Sequence, residues 1–264
     1  MIDSHCHLAD RKFTHDLDQV LKRAHEAGVE KIVTIADTLK ESGQCIQIAE
    51  KYPNVFATAG VHPHAAKNWQ ELDSEKLKSM MKLSPKVRAI GEIGLDYYYD
   101  QPSQKLRPVG NSPRDAQRDV FKVQLQLAKE LDVPVVIHCR NAIGDLRSII
   151  EEVDHQKIVL HCCTEKWEDV EWLVDRRAMI GFTGIATYPK AKEIREVIEN
   201  CPLEQIMIET DAPYLSPEPH RGKRNEPAFV VEVAKLIARF KNVPIEEVGE
   251  VTTKNTVAFY RLPS

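Results

Sequence analysis

The residues best placed to do chemistry are histidines and acids at the ends of short apolar runs. Residues 1–2 lead into Asp3-Ser4-His5-Cys6-His7, and the run 87–93 carries Glu92. The run 133–137 ends at His138, 158–160 ends at His161, and 206–208 leads through Glu209 and Thr210 to Asp211. At the C-terminal tip of a barrel strand a side chain faces the catalytic mouth, whereas at the other end it would only stabilise. Imidazoles and carboxylates converging from five such strands form a donor set for a divalent metal. The chain therefore reads as a metal-dependent enzyme.

Strand side chains alternate faces, so His5 and His7 share one face and Cys6 takes the other. Two imidazoles on one face can chelate a single ion. The same alternation turns Cys139 and Cys162 away from the axis if His138 and His161 point inward, leaving the thiols to pack beneath helices. Glu92 lies among apolar neighbours, where a carboxylate is costly unless a metal or a salt bridge compensates it. Asp211 has both a ligand role and a base role open to it. Glu209 shares its face but lies deeper, where it can orient a ligand by a hydrogen bond or ligate directly.

These residues need elements to hold them. Strand patterns cover 2–5, 31–36, 55–61, 87–93, 133–138, 157–161, 178–182 and 206–208. Helical patterns lie between them at 16–27, 39–51, 74–82, 114–131, 144–153, 168–175 and 190–199, with more helix at 227–240 and 245–259. Strands each followed by a helix predict an α/β fold, a (β/α)8 TIM barrel forming a single domain over 1–264. A doubly wound open sheet is the alternative, but it would hold ligands of the first and last strands apart. Segments 100–113 and 215–227 are polar and contain proline, and both are expected as loops over the C-terminal face.

Composition narrows the class. With 42% hydrophobic and 29% charged residues in 264, the chain has a globular balance. No apolar run approaches the ~18 residues of a membrane span, and no basic-then-apolar leader opens the sequence. The six cysteines, Cys6, Cys45, Cys139, Cys162, Cys163 and Cys201, do not suggest a disulfide framework, so a cytoplasmic setting is expected. A net charge of −4 argues against an extensive basic surface for gripping duplex nucleic acid. A phosphodiester substrate stays open, because bound metals can supply positive charge locally.

Several stretches together carry a family resemblance. Asp3-Ser4-His5-Cys6-His7-Leu8, Gly60-Val61-His62-Pro63-His64, Gly91-Glu92-Ile93-Gly94-Leu95-Asp96-Tyr97-Tyr98 and Glu209-Thr210-Asp211-Ala212-Pro213-Tyr214-Leu215 resemble the TatD family of metal-dependent deoxyribonucleases. Ser112-Pro113-Arg114, Gln117 and Arg224-Asn225-Glu226-Pro227 extend the match over essentially the whole chain. The resemblance implies an amidohydrolase-superfamily barrel, two divalent metals and phosphodiester hydrolysis. It carries the ligand role onto His5, His7, Glu92, His138, His161 and Asp211. Two departures concern the entrance: Cys163-Thr164-Glu165 stands where the family often has Phe-Ser-Gly, and the stretch 100–111 looks longer than usual.

On that basis His5, His7 and Glu92 hold a first ion with Asp211 completing its shell, and Glu92 bridges to a second ion on His138 and His161. A metal-bound hydroxide is the expected nucleophile and Asp211 its general base. His62 and Arg140 are the candidates for contacting the phosphate, and Tyr97 or Tyr98 for stacking on a base. Zinc, manganese, iron and magnesium all suit the donors. The expected partner is DNA, at ends or single strands, with no membrane and no obligate protein partner. The alternative is a hydrolase of a small ester, lactone or amide. Such barrels often bridge their ions with a carboxylated lysine on strand four, where this chain has Glu92, with Lys86 at the strand's start.

Overall fold

Short strands and amphipathic helices alternate in the computed structural model of the chain, which describes residues 1–100 and 111–263. The strands are β1 (Ile2–Cys6), β2 (Lys31–Thr34), β3 (Val55–Ala59), β4 (Val87–Asp96), β5 (Val135–Arg140), β6 (Ile158–Leu160), β7 (Met179–Phe182) and β8 (Ile206–Ile208). Between them run α1 (Leu17–Glu26), α2 (Leu39–Lys51), α3 (Asp73–Leu83), α4 (Arg114–Leu131), α5 (Ile143–Val153), α6 (Trp167–Asp175) and α7 (Lys192–Asn200). After β8 come α8 (Val230–Lys241) and α9 (Ile245–Tyr260). Each strand pairs in parallel with the next, in sequence order. β8 returns to β1 through a parallel bridge between Cys6 and Ala212. His7 N donates to Ala212 O at 2.7 Å and Asp211 N donates to His5 O at 2.9 Å. This closure makes the (β/α)8 barrel and rules out the open sheet.

Two apolar layers hold it. Ile2, Val33, Ile35, Phe56, Ala89, Val136, Val159 and Met207 fill the barrel interior, with Tyr260 at the end of α9 plugging it from below. The larger layer lies between strands and helices and includes Ile90, Ile93, Leu125, Val135, Ile137, Val197 and Ile198. Helix spacing feeds it: α7 buries Ile194, Val197 and Ile198, at i, i+3 and i+4. α4 also buries two glutamines. Gln124 clamps Val61 through both its N–H and its C=O, at 2.8 and 2.9 Å. Gln117 clamps Asp96 in the same way, at 2.8 and 3.1 Å.

Simple alternation would misplace two site residues. Ile2 faces the interior, so His5, three residues on, would face the helices. Ile90 packs in the outer layer, so Glu92 would follow it there. The register shifts between Asp3 and Cys6 and between Ile90 and Ile93, and both side chains turn inward. Such irregularities re-aim side chains beside active sites.

Strand limits differ modestly from the periodic reading. β4 runs on to Asp96, and β5 begins at Val135, after Pro134, which has no N–H to donate. Gly94 lets the two pack: its φ is 138° and a Cβ there would lie 2.0 Å from His138 O. Gly94→Ala is therefore expected to cost about 2–6 kcal/mol, combining overpacking with backbone strain. Chemical denaturation would measure it, and an unchanged midpoint would contradict this packing.

Segment 215–227 is tied down at Arg224, whose partly exposed guanidinium forks onto Asp16 at 2.8 and 2.6 Å and reaches Glu226 at 2.9 Å. Arg23 grips the same Glu226 at 2.7 and 2.9 Å, so the segment is latched to α1. The expectation for 100–113 falls chiefly on 101–110, outside the described residues. Among the described residues no helix is long and apolar enough to cross a membrane.

Candidate metal centre

Glu92 is the hub of the mouth. It is 2% exposed, and its two oxygens face different groups of imidazoles. Oε2 lies 3.4 Å from His5 Nε2 and 3.9 Å from His7 Nε2. Oε1 lies 2.7 Å from His138 Nδ1, 3.6 Å from His161 Nε2 and 3.8 Å from His62 Nε2. Asp211 joins the first group, with Oδ1 at 3.1 Å from His7 Nε2 and 3.6 Å from His5 Nε2. The two imidazole nitrogens of His5 and His7 are themselves 3.4 Å apart.

The 2.7 Å His138 and 3.1 Å His7 contacts make hydrogen bonds, whereas the spacings of 3.4–3.6 Å suit donors shared around a metal. Two donors each ~2.1 Å from a tetrahedral ion stand about 3.4 Å apart, while ordinary N–H···O contacts centre near ~2.9 Å. His5, His7 and Glu92 form one possible ligand group, and His62, Glu92 and His138 a second. His5, His161 and Glu209 form a third.

Electrostatics agree. Burial works to lower the pKa of His7, but Asp37, Asp211 and Glu92 outweigh it and raise it to about 10. His138 is raised to about 10 against the same burial by Asp96 and Glu92. Burial would push Glu92 up, yet His161, His138 and His5 hold it well below the usual carboxylate range. Asp211 is likewise lowered against burial, chiefly by His7 and His161. The cluster is a buried concentration of carboxylate that calls for positive charge, which a cation supplies when protons leave.

Supporting residues fix the orientations. Glu209 is buried, accepts from Cys162 N at 2.6 Å and lies 2.9 Å from His161 Nδ1. Gly181 leaves it room, since a Cβ there would sit 2.7 Å from Glu209 Oε2. Asp3 accepts from Thr210 N at 2.9 Å and from its hydroxyl at 2.6 Å, tying β1 to the residues after β8. Asp211 itself has φ 56°, a left-handed conformation that aspartate tolerates better than most residues.

Asp96 is the main residue that the periodic reading missed. It is 1% exposed, with Oδ2 at 3.3 Å from His138 Nε2 and 2.9 Å from His64 Nε2. Its place at the end of β4 was legible only once β4 was known to run past Ile93. Asp37, whose Oδ1 is 3.8 Å from His7 Nδ1, was missed too.

His62 is drawn into the cluster. Its Nδ1 accepts from His64 N at 3.2 Å, which assigns the proton to Nε2, facing Glu92. Arg140 lies at the rim, 3.6 Å over the Tyr98 ring and 4.0 Å from Asp96 Oδ2. Tyr97 is buried, its hydroxyl donating to Asp145 at 2.8 Å, so of the two tyrosines it is the packing residue. Lys86 sits at the opposite end of the barrel, its ammonium 4.5 Å over Phe56 and donating to Val55 O at 3.2 Å. It does not reach the mouth.

Among the described residues no cysteine enters a ligand group. Cys6 packs in the outer layer and Cys139 Sγ lies 3.8 Å from Glu165. Cys162 has φ 45° and turns to Thr183 Oγ1 at 3.3 Å.

The family model for TatD-related DNases matches residues 2–261. The chain belongs to this family. TatD relatives span its full length. YabD of Bacillus subtilis (strain 168), named as an uncharacterized metal-dependent hydrolase, is 35% identical over 264 residues, covering 99% of each chain. The 3'-5' ssDNA/RNA exonuclease TatD of Edwardsiella piscicida is 33% identical over 275 residues, covering 99% of this chain and 100% of the relative. The crystal structure of YJJV, a TatD homolog from Escherichia coli K12, matches at a TM-score of 0.90 and 30% identity, covering 100% of this chain and 98% of that one. The TatD barrel described above is accordingly that of a metal-dependent hydrolase acting on ester bonds.

Proposed function

We propose that the chain hydrolyses phosphodiester bonds of single-stranded nucleic acid, DNA foremost, with two divalent ions held at one mouth. The observation that carries the reading is the division of Glu92, with Oε2 at 3.4 Å from His5 and Oε1 at 2.7 Å from His138. A carboxylate that faces two imidazole groups suits a shared ligand. His5, His7, Glu92 and Asp211 would hold one ion, and Glu92, His138 and His161 the other. When bound, such a pair lowers the pKa of water, orients the phosphate and neutralises developing charge.

The chain's own residues supply the rest. Asp211 Oδ1, 3.1 Å from His7 Nε2, would take the proton from the attacking water. His62 offers its Nε2–H to a phosphate oxygen, and Arg140 meets the phosphate from the rim. Glu209 holds the His161 ring in place. The exonuclease name of the Edwardsiella relative supports attack from a 3′ end.

The test incubates metal-reconstituted protein with end-labelled single-stranded DNA, duplex DNA, RNA and a simple phosphodiester. Stepwise shortening of single strands is expected. Silence on all nucleic acids would overturn the nuclease reading. Elemental analysis should give about two divalent ions per chain, as a binuclear centre requires, and His138→Ala should remove mainly one. Full occupancy in that variant would remove His138 from the ligand set.

A further inference from the structure

We infer that Tyr214, together with Lys12, forms the stacking subsite for the nucleobase beside the scissile phosphate. The inference rests on the nuclease reading and adds a specificity-determining residue to it. Tyr214 is 43% exposed; Leu72 and Leu83, the other exposed large hydrophobic side chains among the described residues, lie at α3. Tyr214 alone of these meets the metal cluster, its ring centroid 5.9 Å from that of His7 at an interplanar angle of 68°.

The ring is held at both ends. Its backbone turns back on Asp211, Tyr214 N donating to Asp211 O at 2.9 Å. Buried Asn225 donates to Tyr214 O at 2.6 Å and to Thr210 O at 2.8 Å. Its hydroxyl donates to Asp10 Oδ2 at 2.7 Å. The His7 and Tyr214 rings meet edge to face and the hydroxyl is engaged, so a ligand reaches the ring at the face that the Lys12 ammonium overlies. An aromatic face fixed in advance binds without a further loss of rotamer freedom.

Lys12 adds the matching charge. It is exposed, and its ammonium lies 4.6 Å from the Tyr214 ring centroid. That distance is loose beside the 3.6 Å at which Arg140 covers Tyr98. A base stacking on Tyr214 takes the ammonium's place, and the four-carbon stem lets Lys12 swing to the neighbouring phosphate. Base–aromatic stacking depends on the π face and tolerates every base, so the subsite selects unpaired strands without reading sequence. A duplex keeps its bases stacked on one another and gains nothing here.

The experiment follows the fluorescence of a short single-stranded DNA carrying 2-aminopurine in its last 3′ positions, with phosphorothioate linkages so that it is not consumed. Binding to the intact, metal-loaded protein should quench the probe. Tyr214→Ala should weaken binding between about fivefold and 100-fold and abolish the quench. Tyr214→Phe should retain both, since the ring remains. Lys12→Ala should reduce the slope of log affinity against log salt by about one. Tyr214→Leu keeps apolar bulk without a π face and should also lose the quench, so a poorly folding alanine variant does not shield the inference. Turnover of the simple phosphodiester should persist in each folded variant. Wild-type-like binding and quenching in Tyr214→Ala or Tyr214→Leu would overturn the subsite alone. Absence of oligonucleotide binding by the unaltered protein would overturn the nuclease reading and the subsite with it.

Discussion

Asp211→Asn will leave a folded protein that binds nucleic acid and turns it over at least about 100-fold more slowly. The substitution keeps the shape and one oxygen donor while removing the negative charge and most proton-accepting ability. Asp211 Oδ1 lies 3.1 Å from His7 Nε2 and 3.6 Å from His5 Nε2, within reach of water shared with those residues. Loss of general-base help commonly costs about 10²–10⁴-fold, whereas a carboxylate that only supports a ligand costs about 10–100-fold. Metal content must be measured alongside, because a lost ion would also silence the enzyme. If the variant keeps both ions and near-normal turnover, proton transfer lies elsewhere. Glu209 would be the next residue to replace, although its Oε1 is already committed to Cys162 N at 2.6 Å and faces His161 at 2.9 Å.

Why the mouth residues were legible follows from the barrel's own geometry. A strand tip in this fold has one functional direction, so ending an apolar run was enough to place His138 and His161 at the mouth beside Glu92. Less legible were features that break a period. Ile2 and His5 face the same interior only because β1 shifts register between them, and Glu92 departs from the face of Ile90 for the same reason. A one-residue shift turns a side chain to the other face, and nothing in the local composition marks it. Asp96 stayed hidden because β4 was read as ending at residue 93. Its clamp, Gln117, lies on a helix whose inward positions are otherwise apolar apart from Gln124, and buried glutamines there look like exceptions to the pattern. Arg224 shows the converse. Segment 215–227 was read only as a polar loop, yet its Arg224 pairs with Asp16, 208 residues away in sequence, as well as with neighbouring Glu226. Long-range pairing of this kind is invisible until the chain closes.

Glu92→Gln is the harsher test of the shared-ligand reading. The carboxylate is 2% exposed, so bulk water does not soften its loss. The amide retains one oxygen for one side of the mouth, but presents an N–H₂ donor to the other, where an imidazole or a cation needs an acceptor. Removing the charge also releases His5, His138 and His161 from their common counter-ion. Both ions should therefore weaken together, with metal content falling from about two to below one per chain, since each shares this ligand. Turnover should fall at least about 1,000-fold, in the upper half of what loss of a single acid–base group produces. His138→Ala, by contrast, should strip one ion and leave the other. If Glu92→Gln still binds two ions, the bridge is not at Glu92. Asp96 is then the carboxylate to examine, because its Oδ2 already stands 3.3 Å from His138 Nε2. Asp96→Asn should in that case remove an ion that Glu92→Gln does not, whereas under the shared-ligand reading it disturbs the orientation of His138 and leaves the count at two.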